Sequence, residues 1–281
     1  MNKEEYIKIA KEKLNGKSSD IMINQIKKYY EAKEYVVPKN KYNIGDKVEL
    51  RKGTLLHGTY KNIDGLKEIL KDGLISSWFI DGRLSKYPSS VGIWNLKEDY
   101  LLKDYINFYS GGTIKYSGLL EKGDYSKNIK TCVIPYDKMN NINQILNENP
   151  CRIWTMEQTK EARFMPSFAQ EQVQIGIIFN GNNEFTKELL KGDILNPNFI
   201  NDDEIKEFVN ENYYVRFIFD RKNKDDFFTD RESAILFGIP ANLIEGILVG
   251  RKYEHDNEIL KEIKRLLPNC YICNLDGVVI L

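Results

Sequence analysis

Histidine is scarce in this chain, which has only two, His57 and His255, and the four cysteines are Cys132, Cys151, Cys270 and Cys273. A zinc site built on the Cys270-Tyr271-Ile272-Cys273 pair would want a second close pair of ligands. Cys132 and Cys151 stand 19 residues apart and do not supply it. The pair also lies in an apolar, strand-like run, NCYICNLDGVVIL. Of the uses open to it (half a zinc site, a redox pair, ordinary semi-buried thiols) the last is expected, and no metal is expected. Net charge is absent too, with 41 Lys and Arg against 41 Asp and Glu. That argues against nucleic-acid binding through a generally basic surface, although it leaves room for a local basic groove. No run of about 18 apolar residues is present, so no membrane-spanning helix and no membrane partner are expected. The opening MNKEEYIKIAKEKLNGK has no uncharged apolar core of a secretory signal. A cytoplasmic location is the expectation.

Internal repeats and low-complexity tracts are also missing. What is present is an ordinary globular balance, 42% hydrophobic and 29% charged over 281 residues. Residues 3–35 read as two short helices: Tyr6, Ile7, Ala10 and Leu14 form an apolar stripe ended by Asn15-Gly16, and Ile23, Ile26 and Tyr30 mark the second. Pro38 and Gly45 then break the periodicity. From Lys47 the texture changes to short β-branched and aromatic runs bounded by turns. Strands are expected at 48–50, 55–58, 91–94, 130–134, 173–179, 215–219, 233–237, 246–249 and 278–281. Helices are expected at 63–71, 98–108, 202–210 and 257–267. Strands outnumber helices and do not alternate with them, so the fold class expected is α+β rather than a doubly wound parallel sheet. The boundaries drawn are a helical segment over 1–45 and a second domain over 46–281.

Three places concentrate chemistry. Leu55-Leu56-His57-Gly58-Thr59 ends an apolar strand with an imidazole, a glycine that admits close approach to the backbone, and a hydroxyl. The amphipathic stretch ending at Asp72-Gly73-Leu74 follows it as a helix with a glycine stop. Further on, Gly92-Ile93-Trp94-Asn95 is followed eleven residues after Trp94 by Tyr105. Either aromatic could equally be core packing in a chain with 17 tyrosines and 13 phenylalanines. Late in the chain Asp230-Arg231-Glu232 opens the run Ser233-Ala234-Ile235-Leu236-Phe237, then Ile239-Pro240 and Ile244-Glu245-Gly246-Ile247. A glutamate there could also be a solvated edge residue.

In this order, across most of the chain beyond the N-terminal helices, these elements resemble ADP-ribosyltransferases of the diphtheria-toxin and poly(ADP-ribose) polymerase type, the His-Tyr-Glu class. The resemblance implies an α+β, ADP-ribosyltransferase-like split β-sheet core with a small helical N-terminal appendage. It implies NAD as substrate, with His57 on the adenosine ribose, Gly58 meeting nicotinamide through its backbone, and Thr59 adding a sugar contact. Trp94 and Tyr105 would wall the nicotinamide, and a flat cationic ring gains from two π-faces. Glu232 would be catalytic, its charge stabilising an oxocarbenium-like transition state. Departures from the family pattern are Trp94 for its first tyrosine, Leu102 where the polymerase branch has serine, and a long Tyr105-to-Glu232 gap implying an insertion around 140–212. Asp230, at a position that helps choose the acceptor in related toxins, leaves the acceptor open between protein and nucleic acid.

Two further stretches could contact phosphate, Arg163 within 161–172 and Tyr109-Ser110-Gly111-Gly112-Thr113, with a buried structural loop and an ordinary turn after the 98–108 helix as their alternatives. Rival functions are an NAD glycohydrolase with water as acceptor and a catalytically silent NAD-binding module. An RNA 2′-phosphotransferase would need several arginines, and near His57 stand only Arg51 and Arg83.

Overall fold

The computed structural model describes residues 1–14, 16–59, 62–80, 91–96, 99–102, 113–114, 132–133, 174–193 and 232–281. Within them the chain is a mixed α and β protein with six helices and an open six-stranded mixed sheet.

The helices are α1 (Lys3–Lys13), α2 (Gly16–Ala32), α3 (Asn62–Asp72), α4 (Ser77–Ile80), α5 (Glu184–Leu190) and α6 (Asn257–Leu266). Their ends are written in the sequence. Asn2 caps α1 in a reciprocal box with Glu5, while Lys11 and Lys13 complement the dipole at the far end. Asn183 caps α5 and Asp256 caps α6, each accepting two backbone N–H groups of the first turn. Leu260 and Ile263 of α6 are buried on one face, and Glu262 on the other side reaches Lys67 of α3 at 3.2 Å.

The strands are β1 (Glu49–Leu50), β2 (Thr54–Thr59), β3 (Leu74–Ile75), β4 (Val91–Asn95), β5 (Tyr100–Leu101), β6 (Thr113–Ile114), β7 (Cys132–Val133), β8 (Ile175–Asn180), β9 (Glu232–Ile235), β10 (Gly238–Ile239), β11 (Ile244–Val249) and β12 (Tyr271–Cys273). The large sheet runs β12-β11-β8-β2-β4-β9. Only β11 and β12 are parallel, and α6 makes the crossover that a parallel pair requires. Both edges are covered. The terminal residues fold back on β12 through Ile280 N–H to Ile272 O, and Asp193 bridges to Ile235 of β9.

Alternation along the strands separates two apolar faces. Leu55, Ile177, Phe179, Ile247 and Ile272 belong to the larger core, with Tyr6, Ile26, Tyr29 and Phe237. Leu56, Ile178, Leu248 and Tyr271 belong to the smaller one, with Val48, Leu50 and Leu102. Thus α1 and α2 share the larger core with the sheet. Tyr6 meets Phe79 and Phe237 edge-to-face at 5.2 and 5.0 Å, and Tyr29 meets Phe237 at 5.0 Å.

Several expected elements differ. Residues 100–101, expected within a helix, are strand β5, because Leu50 pairs with Tyr100 and the Lys52 N–H is held by Asp99. Thr113, expected in a turn, pairs with Val133. At the C-terminus, Val278 and Val279 make isolated bridges only, to Lys47 and Cys273. The expected elements at 202–210 and 215–219 and most of the 140–212 stretch lie outside the described residues.

Candidate functional site

The site begins where two ladders part. β2 pairs with β4 at Leu55–Asn95 and Leu56–Trp94. Beyond Leu56, β2 continues to Thr59 against β8, whereas β4 continues to Val91 against β9. The facing edges of His57–Gly58–Thr59 and Val91–Gly92–Ile93 therefore carry main-chain groups that the β2–β4 ladder does not use. Gly58, in the middle of one edge, has no side chain to cover them.

His57 spans this opening. Its Nδ1 lies 3.3 Å from the Gly92 carbonyl oxygen. A carbonyl only accepts, so the bond requires the proton on Nδ1 and leaves Nε2 an acceptor while the ring is neutral. Burial pushes the His57 pKa below its ordinary value, against the opposing pull of the Gly92 carbonyl, which favours that neutral form. The sheet thus presents a half-buried imidazole suited to accept a hydrogen bond from a hydroxyl, not to attract an anion. Thr59, two residues on and buried, falls on the same face by alternation.

The end of β2 is fixed from outside. Asn62 takes a left-handed φ of 51°, and its Oδ1 accepts the Gln174 N–H at 2.7 Å. Gln174 in turn accepts the Lys252 N–H through Oε1 at 3.0 Å. One clasp joins the start of α3 to the entry of β8 and the exit of β11.

Trp94 and Glu232 are direct register partners across β4 and β9, and Trp94 has Leu56 on its other side. Their row is in register with Leu56, one residue out of step with His57, so these two positions fall on the sheet face opposite to that of His57 and Thr59. Asn95 ties the same pair of strands, donating from Nδ2 to Ser233 Oγ at 3.1 Å. The structure thus brings His57, Gly58, Thr59, Trp94 and Glu232 onto three adjacent strands. Tyr105, Arg163, Arg231, Asp230, Arg83 and the 110–112 turn lie outside the described residues. Leu102 is buried in the smaller core, with its N–H on Val48 O at 3.3 Å. Arg51 is engaged by Glu49 and by Asp99, the latter at 3.5 Å.

Three contributors were not assigned roles from sequence: the Gly92 carbonyl, the Asn95–Ser233 tie, and Asp193, discussed below. The first is a backbone atom with no residue signature. The others depend on partners more than forty residues away in the chain or across a ladder.

The CYIC pair is buried in β12 and its approach. Cys270 Sγ donates to Ile244 O at 3.1 Å and Cys273 Sγ to Ile247 O at 3.6 Å. Burial pushes the Cys270 thiol up to about 12 and raises Cys273 as well, so both stay protonated at neutral pH. Among the described residues no group of three His, Cys, Asp or Glu side chains is placed to hold a metal ion. No described helix is long and apolar enough to cross a membrane. No protein-family model matches the chain, and no curated protein or solved structure matches it.

Proposed function

We propose that the chain is an NAD-dependent ADP-ribosyltransferase of the His-Tyr-Glu class, built on a split-sheet catalytic domain and transferring ADP-ribose to a macromolecular acceptor, protein or nucleic acid. The observation that carries the proposal is the side-by-side order of β2, β4 and β9, with the ladders parting beside Gly58. Three signature positions far apart in sequence stand on neighbouring strands, His57 on one face of the sheet and Trp94 and Glu232 on the other, next to the point where the ladders part.

In this reading the nicotinamide amide uses main-chain groups of Gly58 that the β2–β4 ladder does not use, and Trp94 and Tyr105 stack on the ring. His57 Nε2 accepts from a ribose hydroxyl and fixes the cofactor's register. The bond that breaks joins the nicotinamide ring nitrogen to the ribose anomeric carbon. Its electron pair goes to the ring, which leaves as neutral nicotinamide, so no general acid is needed. Positive charge develops on the sugar, and the Glu232 carboxylate stabilises it. The acceptor's nucleophile then bonds to the anomeric carbon and gives its proton to solvent. A phosphotransferase is less well supported, since His57 offers an acceptor and Arg51 is already held by two carboxylates.

The test is incubation with adenylate-labelled NAD plus cell lysate, plus nucleic acid, or with no acceptor. Covalent label on a macromolecule with release of nicotinamide is the expected result. Free ADP-ribose as the sole product in all three would make water the acceptor and the protein a glycohydrolase. Absence of nicotinamide release in every arm would remove the catalytic reading.

A further inference from the structure

The outer edge of β9 is braced by a buried carboxylate. Asp193 is 8% exposed, and its Oδ1 accepts the Ala234 N–H at 2.8 Å. Beside it, Gly192 O accepts the Leu236 N–H at 3.3 Å, and Asp193 forms a bridge to Ile235. The strand that opens with Glu232 is thus held by β4 on one side and by residues 192–193 on the other. An edge strand of four residues has few main-chain bonds of its own, so this brace decides how firmly its first residue is set.

The brace is itself anchored by the N-terminal helices. Gln25 of α2 is 3% exposed, and with its amide oriented to match its neighbours it donates to Leu189 O and accepts from the Gly192 N–H, both at 3.3 Å, while that N–H also reaches Leu189 O at 3.0 Å. A Cβ at Gly192 would collide with the Gln25 amide, so glycine is what lets the two meet. Lys28, one turn on, pairs with Glu188 of α5 at 3.2 Å. A continuous chain of contacts runs from α2 through 189–193 to the backbone of β9.

We propose that Asp193 is a positioning residue: by holding the Ala234 amide it sets the strand on which Glu232 stands, and Gln25 of α2 holds Asp193 in place. The proposal rests on the transferase reading for its consequence in catalysis, but its mechanical part does not. A strand start that shifts by about an ångström degrades charge stabilisation in the transition state far more than ground-state binding of NAD.

The experiment compares Asp193→Ala, Asp193→Asn and Gln25→Ala with the parent and with Glu232→Gln, all as full-length chains. Amide hydrogen exchange over 232–236, NAD turnover and KM are read in each, with a melting curve. Asn keeps an oxygen to accept the Ala234 N–H, so Asp193→Asn is expected to keep slow exchange and to lose less than about threefold in kcat. Asp193→Ala is expected to exchange faster at 232–236 and to lose about tenfold or more in kcat with KM changed less than about threefold. Gln25→Ala should follow Asp193→Ala in direction and be smaller. Unchanged exchange in Asp193→Ala overturns the proposal whatever the activity. Faster exchange with unchanged kcat, in a protein that Glu232→Gln inactivates, also overturns it while leaving the transferase reading intact. A parent with no NAD turnover is the separate signature of a failed transferase reading, and the catalytic half of the proposal falls with it.

Discussion

Trp94 stands directly opposite Glu232 across the β4–β9 ladder, with Leu56, the residue before His57, opposite Trp94 on the other side. Three positions separated by 38 and 138 residues in the chain are therefore neighbours in one register row, next to the point where β2 and β4 part. If that opening is the NAD site, the charge of Glu232 matters when the glycosidic bond breaks and little before. Glu232→Gln is expected to lower turnover about a hundredfold or more with NAD affinity changed less than about tenfold. Turnover and affinity measured on one preparation, with its melting curve, decide this. Near-normal turnover would remove Glu232 from the reaction.

His57 makes a pH prediction of definite sign. Its folded pKa lies below the ordinary value near 6.5 because burial disfavours the charged ring. Between that folded value and about 6.5 the unfolded chain binds a proton that the folded protein does not. His57 therefore costs no stability above about pH 6.5 and costs progressively more as pH falls through 6.5 to the folded pKa. His57→Gln removes this slope, so the parent's stability relative to the variant should decline as pH is lowered from about 7.5 to 5. Urea titrations at several pH values measure it. NAD affinity should drop only at lower pH still, once the folded imidazole protonates and Nε2 becomes a donor. A pH-independent stability difference would mean the ring is not desolvated in the folded protein.

What could be read from the sequence was local. The Leu55–Leu56 run predicts β2, the CYIC segment lies in a strand, and the Asp256 cap with buried Leu260 and Ile263 matches the helix expected at 257–267. The element at 100–101 is a strand and not the expected helix because Tyr100-Leu101-Leu102 suits either state and pairing with β1, some fifty residues earlier, decides between them. Helix α5, short and capped by Asn183, was not expected from the sequence. In the site, His57-Gly58-Thr59 was visible as a motif, whereas its partner, the Gly92 carbonyl, was not. The Trp94–Glu232 register has no local signature at all. It follows from which strands meet, and that is decided by the whole sheet. The same holds for α1 and α2, whose periodicity was plain but whose docking on Phe79 and Phe237 was not.

Gly73 and Gly45 give a matched pair of stability predictions. Both take left-handed φ, 85° and 93°. At Gly45 a Cβ would meet nothing within 4 Å, so Gly45→Ala costs only backbone strain, about 1–2 kcal/mol. At Gly73 a Cβ would stand 2.5 Å from the Tyr29 hydroxyl and 2.6 Å from Ile239 O. The Tyr29 hydroxyl is itself donated to Asp72 O, so it has little room to move. Gly73→Ala is expected to cost more than about 3 kcal/mol, by adding displacement of a buried hydrogen bond to the strain. Denaturant midpoints of the two variants test it, and equal losses would show that Tyr29 is not fixed at Gly73.

The end of α2 supplies a prediction in which charge, not volume, is the variable. Asn242 Nδ2 donates to Ala32 O at 2.7 Å and to Tyr35 O at 2.6 Å, tying the turn before β11 to the last residue of α2 and to the chain just beyond it. Asn242→Ala removes this donor from Tyr35 O and leaves Ala32 O with the Tyr35 N–H at 3.2 Å, and is expected to cost about 1–3 kcal/mol. Asn242→Asp is nearly isosteric but replaces the donor by an acceptor, facing two carbonyl oxygens, one of them Ala32 O at the negative end of the α2 dipole. Its folded pKa would be raised above about 4, so the unfolded chain loses its proton first as pH rises. The deficit of the Asp variant should therefore grow as pH rises through about 4 to the folded pKa and stay constant above it. At neutral pH it should be less stable than Asn242→Ala, while near pH 3, where the protonated carboxyl can donate one bond, that order should reverse. Urea unfolding of the two variants at both pH values measures the crossing. An Asp variant as stable as the parent at neutral pH would mean that Asn242 does not anchor α2.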